Sequence, residues 1–308
     1  IEKAHDAGAD FVKFQTAVDC TSKFAPKAEY QKKTTGADES QLEMAKKLRL
    51  TLDQHYELYE YCKKIGISYL STAFDIESVK FLDSLDLPFW KIPSGEITNL
   101  PYLIEIGKTK KPVVMSTGMA ELCEISDAVD ILKDNGTTDI TLLQCHTDYP
   151  TEMDNVNLNA MITLKKKFNT PVGLSDHSIG IEVPIAAVAL GAKVIEKHFT
   201  LDRTMIGPDH LASIEPDELA RMVKAIRNIE KAMGDGEKKC SPIERANIIV
   251  ARKSIVAKRD IKKGELLTEE NITTKRPGNG VSAMKWFDVL GTKAIKDFEE
   301  DELICIEP

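Results

Sequence analysis

Pro171-Val172-Gly173-Leu174-Ser175-Asp176-His177 and, some fifteen residues on, Ala192-Lys193-Val194-Ile195-Glu196-Lys197-His198-Phe199 are two apolar runs that each reach a histidine, and they decide the fold. Between them, residues 181–190 are rich in alanine and valine and are closed by Gly191, the pattern of a crossover helix in a βαβ unit. Two neighbouring parallel strands aim the side chains at their C-terminal ends into one site. Imidazole is the commonest metal-binding side chain, and a pair from adjacent strands leaves coordination positions open for substrate or water. An isolated histidine is more often bonded to a backbone carbonyl than to a metal. The pairing of His177 with His198 favours a site.

The same alternation extends in both directions. Strand-like runs stand at 10–15, 68–72, 89–93, 113–116, 140–145, 172–175 and 194–198, with helical patterns at 53–65, 76–85, 100–109, 122–135, 157–168, 181–190 and 216–233. Strands alternating with helices predict a parallel sheet. The chain opens on Ile1-Glu2-Lys3-Ala4-His5-Asp6-Ala7-Gly8, which reads as the last turns of a helix stopped by a C-cap glycine, so a strand ahead of it is expected. With that strand the count is eight. The predicted fold class is therefore α/β, a (β/α)8 TIM barrel over residues 1–235. Residues 236–252 read as an irregular charged linker, and 253–308 as a small β-rich module of short strands and turns. About 55 residues make a small independent core, so this module is expected to lean on another surface. A long polar connection over 16–41 follows the first strand and is expected to act as a lid.

Bulk composition narrows the function classes. The chain has 308 residues, 42% hydrophobic and 29% charged, ordinary values for a globular enzyme. A formal charge of -8 argues against a nucleic-acid-binding surface. The run Lys165-Lys166-Lys167 reads as the solvated end of a helix. No apolar stretch reaches the roughly 18–20 residues of a membrane span, so a cytoplasmic protein without a membrane partner is expected. The six cysteines (Cys20, Cys62, Cys123, Cys145, Cys240, Cys305) have neither CxxC nor finger spacing and read as reduced thiols. Cys145 ends a strand near the predicted site. Without a base partner it reads as a small hydrophobe rather than a nucleophile.

The strand ends carry the chemistry. Lys13 and Gln15 alternate with Phe14 and share a face; a lysine buried inside a barrel calls for an anion. Lys91, in Lys91-Ile92-Pro93-Ser94-Gly95-Glu96, repeats the pattern and adds a hydroxyl. Ser71-Thr72 and Ser116-Thr117-Gly118 bring further hydroxyls to strand ends. Together they form a cradle for a small phosphorylated acid. Schiff-base chemistry on Lys13, Lys91 or Lys197 is the mechanistic competitor, but it leaves the two histidines without a role.

Val12-Lys13-Phe14-Gln15-Thr16, Lys91-Ile92-Pro93-Ser94-Gly95-Glu96, Ser116-Thr117-Gly118-Met119, Gly173-Leu174-Ser175-Asp176-His177, Glu196-Lys197-His198-Phe199-Thr200, Gly207-Pro208-Asp209-His210 and Lys275-Arg276-Pro277-Gly278-Asn279-Gly280 resemble, in order and spacing, the sialic acid synthase family, which includes the legionaminic acid synthases. The C-terminal piece resembles the antifreeze-like (SAF) domain that follows the barrel in those enzymes. The resemblance implies condensation of phosphoenolpyruvate with an open-chain N-acylated amino sugar, giving a nine-carbon 2-keto acid and phosphate. It implies that His177 and His198 hold a divalent cation, Mn2+ or Mg2+, that polarises the sugar aldehyde, and that Lys91 and Arg276 join them as catalytic residues. It implies substrate contacts from Lys13, Gln15, Thr72, Lys91, Ser94, Ser116, Tyr149, Ser175, Asp209 and Arg276, with Tyr149 and Asp209 on the sugar side.

The resemblance also implies a domain-swapped homodimer in which Arg276 reaches the partner's barrel, and a glutamate on the strand ahead of Ile1 that assists the water or proton step. The strand end Cys145-His146-Thr147-Asp148-Tyr149 departs from the asparagine-bearing version of some sialic acid synthases, so a legionaminic-type acceptor, 2,4-diacetamido-2,4,6-trideoxymannose, is the alternative to N-acetylmannosamine. From other classes, a Schiff-base lyase and an inactive glycan-binding relative stand beside the synthase.

Overall fold

The computed structural model describes residues 1–35 and 39–306. It forms two units, Ile1–Gly234 and Asp235–Pro308. In the first, strands β1 (Phe11–Thr16), β2 (Ser68–Ala73), β3 (Trp90–Ile92), β4 (Val113–Ser116), β5 (Ile140–Cys145), β6 (Val172–Asp176) and β7 (Ile195–Lys197) alternate with helices. These helices are α1 (Glu2–Asp6), α2 (Glu29–Thr35), α3 (Gln41–Leu48), α4 (Leu52–Ile65), α5 (Ile76–Ser84), α6 (Leu100–Lys108), α7 (Leu122–Asp134), α8 (Met153–Val156), α9 (Asn159–Phe168), α10 (Glu182–Ala189) and α11 (Pro216–Met233). All pairings in this unit are parallel: β1 with β2, and β3-β4-β5-β6-β7 in chain order. Sequential parallel order is the signature of the predicted barrel. Lys13 of β1 and Glu196 of β7 come within 3.8 Å, so both outer strands present side chains to one interior.

Local chemistry sets the helix ends. Thr51 and Gln54 form a capping box at the start of α4. Asp75 caps α5 through Ser78 N–H and also accepts from the backbone of Val18 and Asp19, tying the loop after β1 to the end of β2. Strands such as β4 and β6 are buried throughout, as expected of strands covered by helices on one side and the barrel interior on the other. Trp90, Tyr102, Met115, Leu132 and Leu142 lie fully inside, each contributing about 1.5–3 kcal/mol or more through burial. Gly173 has a steric reason: a Cβ there would stand 2.3 Å from the Val194 carbonyl oxygen, so only glycine lets β7 approach β6 this closely.

One expectation changes. The connection over 16–41, expected to act as a lid, contains α2; its residues 36–38 lie outside the described residues. The stretch 236–252 contains α12 (Pro242–Ala251), started by a capping box between Ser241 and Glu244. Charges flank this helix on both sides and mask its start signal, Ser241-Pro242-Ile243-Glu244, in the sequence. In the second unit, β8 (Ser254–Ala257) pairs antiparallel with β9 (Ile272–Lys275), followed by α13 (Trp286–Val289). This unit has its own core, including Ile255, Ile261, Leu267, Ile272, Val289 and Phe298. The Gly278 N–H donates to Ile249 of α12 at 2.7 Å, so the helix belongs to this unit's packing. Among the described residues no helix is long and apolar enough to cross a membrane.

Candidate active site

The C-terminal ends of β1, β3, β4, β6 and β7 bring charges together that a hydrophobic interior does not tolerate singly. Lys91 is 4% exposed and donates to Ser116 Oγ at 2.8 Å and to the Ile92 carbonyl at 3.0 Å. Its ammonium lies 3.5 Å from Glu196, which also lies 3.8 Å from Lys13. Ser175 Oγ donates to the same carboxylate at 2.8 Å. Burial alone pushes the Glu196 carboxyl up, but Lys91, Lys13 and the Ser175 hydroxyl outweigh it and hold it down at about 2. Burial pulls the Lys91 ammonium below the usual lysine range, against the pull of Glu196. The cluster thus sets two lysines around one carboxylate, an arrangement with room for an anionic ligand.

Hydroxyls surround it. Ser94 Oγ accepts from the Gly118 N–H at 2.9 Å. Thr72 is 1% exposed, and its hydroxyl has no hydrogen-bond partner among the described residues. An added Cβ at Gly118 would meet Thr147, Ser94 and Cys145 at 2.6, 2.9 and 3.1 Å, so glycine keeps this corner open. Gln15 is exposed on the same strand as Lys13. Burial raises the Cys145 thiol above its ordinary value, which keeps it protonated and fits the apolar role read from the sequence.

The two histidines face one another beside this cluster, with ring centroids 5.2 Å apart. His177 Nδ1 lies 2.6 Å from the His146 carbonyl oxygen, a pure acceptor, so Nδ1 carries the proton and Nε2 keeps its lone pair. The backbone of His146 orients His177. Burial lowers His177, and burial with the neighbouring His177 and Lys13 lowers His198 to about 3, so both rings are neutral at neutral pH. Asp209 Oδ2 lies 3.7 Å from His198 Nδ1, and burial raises this carboxyl. Its Oδ1 is buried without a hydrogen-bond partner among the described residues. Neutral imidazole is a donor type that a divalent cation takes, while among the described residues no group of three or more His, Cys, Asp or Glu side chains is arranged to hold one, so a cation on this histidine pair would complete its coordination from substrate or water.

Tyr149 lies over His177 at 4.0 Å between centroids and edge-on to His198 at 5.5 Å. Tyr30 of α2 stacks on Tyr149 at 4.9 Å with an interplanar angle of 25°. Burial raises both phenols, so both stay protonated. Thus Lys13, Lys91, Ser94, Ser116, Ser175, His177, His198, Tyr149 and Asp209 gather at one end of the barrel. Arg276 is an exposed residue of the second unit, just after β9. Two members were missed from the sequence. Glu196 had a signal, since two inward lysines require a counter-charge and Glu196 sits two residues before His198. Tyr30 had none, lying in a polar stretch without strand or helix periodicity.

Comparison with known proteins shows the family of the chain. The NeuB family model matches residues 1–238, and the SAF domain model matches residues 252–305. An N,N'-diacetyllegionaminic acid synthase of Campylobacter jejuni is 57% identical over 308 residues, 99% of this chain and 92% of that protein. One from Legionella pneumophila is 44% identical, covering 94% of this chain and 83% of that protein. Among solved structures, the N-acetylneuraminic acid (sialic acid) synthetase of Leptospira borgpetersenii in complex with citrate superposes with a TM-score of 0.70 at 34% identity, covering 80% of this chain and 82% of that one.

Proposed function

This chain belongs to the NeuB family and carries an SAF domain, and on that premise we propose that it is a nonulosonic (sialic) acid synthase. It is a transferase that condenses phosphoenolpyruvate with an open-chain N-acylmannosamine-type sugar, takes up water and releases phosphate. The observation that carries this reading is the pair of neutral imidazoles, His177 and His198, beside the Lys13–Glu196–Lys91 cluster. A lyase working through an imine leaves that pair idle, and Lys197, one of the three lysines open to it, is bound to Asp176.

In this reading Lys13 and Lys91, with Gln15, Thr72, Ser94, Ser116 and Ser175, hold the phosphate and carboxylate of phosphoenolpyruvate. Tyr149 and Asp209 line the acceptor side. His177 and His198 would hold a divalent cation, manganese or magnesium, which would supply Lewis acidity toward the acceptor's aldehyde. C3 of phosphoenolpyruvate forms the new bond to the aldehyde carbon as the C=O π pair moves onto the aldehyde oxygen, leaving C2 electron-poor. Water adds at C2, one of its protons goes to the aldehyde oxygen to make a hydroxyl, and the tetrahedral centre becomes the ketone as its C–O bond to phosphate breaks and its remaining hydroxyl proton leaves with the phosphate. The Lys13–Lys91 pair stays with the phosphate as its charge grows. The enzyme works in the cytoplasm as a domain-swapped homodimer, with Arg276 of one protomer reaching the acceptor in its partner's barrel.

Two acceptors are distinguished. The 57% and 44% identical relatives are N,N'-diacetyllegionaminic acid synthases, which favours 2,4-diacetamido-2,4,6-trideoxymannose over N-acetylmannosamine. Phosphate release by the full-length protein with manganese, measured with each sugar before and after chelation, tests the reading. Release that requires an acceptor and stops on chelation supports it and selects the sugar. Absence of release with both, from protein that binds manganese, contradicts it.

A further inference from the structure

The strand ends that carry the two histidines are joined again on their opposite face. Asp176 and Lys197 are register partners in β6 and β7, and their side chains meet at 2.5 Å. They are 2% and 3% exposed, so this is a buried ion pair. It is not isolated. The other Asp176 oxygen accepts from Ser178 N–H at 2.9 Å and from Ser178 Oγ at 2.7 Å, while Lys197 Nζ also donates to the Ser178 carbonyl at 2.6 Å. Residues on both sides of His177 are thereby fixed to the residue preceding His198. On the inner face the same register sets Ser175 opposite Glu196.

We propose that Asp176 and Lys197 are positioning residues that lock the register of β6 against β7 and so set the separation of His177 and His198. Side chains alternate along a strand, so a slip of one residue turns the inner set outward and the outer set inward. With the pair in register both charges are satisfied; after a slip, each is buried without its partner, which disfavours the slipped pairing strongly. Stability alone does not call for charges here, because an apolar pair of similar volume holds a buried position equally well or better, whereas fixing a register is the best-attested use of a buried polar contact. The second observation is the way Ser178 is gripped from both sides. That grip fixes the turn leaving His177, whose carbonyl also accepts from Thr151 N–H at 2.9 Å. The side-chain hydrogen bonds of the pair run to each other and to Ser178, and by strand alternation both residues point opposite to Ser175 and Glu196.

This inference rests on the cation reading, and its test separates the two. Manganese binding to the full-length protein is measured by titration calorimetry and by loss of the free-ion resonance signal, alongside thermal denaturation. Binding by wild type that is abolished in His177→Ala supports the cation reading; failure of wild type to bind, or binding unaffected by His177→Ala, overturns that reading and this inference with it. Given binding, Asp176→Asn and Lys197→Met are each expected to weaken manganese affinity about 10–100-fold, the usual effect of removing an outer support of a ligand. Lys197→Arg, which keeps the ion pair, is expected to stay within roughly threefold of wild type. The deciding variant is Asp176→Leu/Lys197→Met, which restores an apolar, well-filled outer face. It is expected to melt near or above the wild-type temperature yet still bind manganese about tenfold more weakly or worse. A double variant with wild-type manganese affinity overturns the proposal. If the single variants fail to fold, Lys197→Arg and the double variant carry the test, and a Lys197→Arg enzyme with affinity as low as Lys197→Met overturns it equally.

Discussion

Two lysines facing the interior of a barrel need a counter-charge, and the arrangement around Glu196 shows how one carboxylate serves both without neutralising the site. Lys91 is held in a desolvated place by Ser116, the Ile92 carbonyl and Glu196, and in the proposed reading it binds the anionic substrate. Lys91→Met is expected to lower kcat/KM for phosphoenolpyruvate by roughly 100-fold or more, the scale of losing a charge-assisted contact that strengthens in the transition state. Steady-state kinetics with each substrate varied in turn checks this, and a loss confined to the acceptor's KM would contradict the assignment. The lysines, hydroxyls and histidines were legible in the sequence because strand-end position and chemical type coincide in them. Glu196 was less so: its function is to balance groups far away in the chain, and that pairing exists only once β7 stands near β1 and β3.

At the scale of elements, the alternation of apolar runs with capped helices gave the barrel's strands nearly residue by residue, because parallel strands buried on both faces leave a strong pattern. The loop after β1 was harder. Its helix α2 is held by contacts to the site rather than by its own periodicity, and Tyr30 comes to Tyr149 through them. If α2 covers the acceptor, Tyr30→Ala is expected to raise the acceptor's KM several-fold while leaving that of phosphoenolpyruvate nearly unchanged, and Tyr30→Phe to behave like wild type. Kinetics with both substrates decides; an equal rise in both KM values points to a general loss of loop structure.

Asp75 offers an independent test of how this loop is tied down. Burial works against its charge, but the amides of Ser78, Val18 and Asp19 and the Ser78 hydroxyl hold the carboxyl below its ordinary 3.8. Its stabilising contribution is therefore complete above pH 3.8 and is lost as pH falls through the lower folded value. Asp75→Ala is expected to destabilise the protein by about 1–2 kcal/mol near neutral pH, and the difference from wild type to shrink in acid. Denaturant titrations at several pH values check it; a difference that grows in acid would contradict the capping account.

At the scale of the whole molecule, the division after the barrel was visible as a change in composition, whereas α12 was hidden by the charges around it. The role of Arg276 belongs to this scale, since it depends on the assembly. Arg276→Ala and His177→Ala are each expected to be inactive alone. If the arginine acts in trans, co-expressing the two restores roughly a quarter of wild-type activity, because half of randomly mixed dimers carry one intact site of two. Absence of complementation would place Arg276 in its own protomer's site or outside any site. The central claim, that phosphoenolpyruvate is joined through carbon to a sugar and gives up phosphate by C–O cleavage, is tested most directly with phosphoenolpyruvate labelled with 18O at the bridging oxygen. Incubated with the full-length protein, manganese and 2,4-diacetamido-2,4,6-trideoxymannose, it is predicted to yield a nine-carbon 2-keto acid and an equal amount of phosphate carrying the label. Label retained in the keto acid, or pyruvate and phosphate released without the nine-carbon product, would contradict the account.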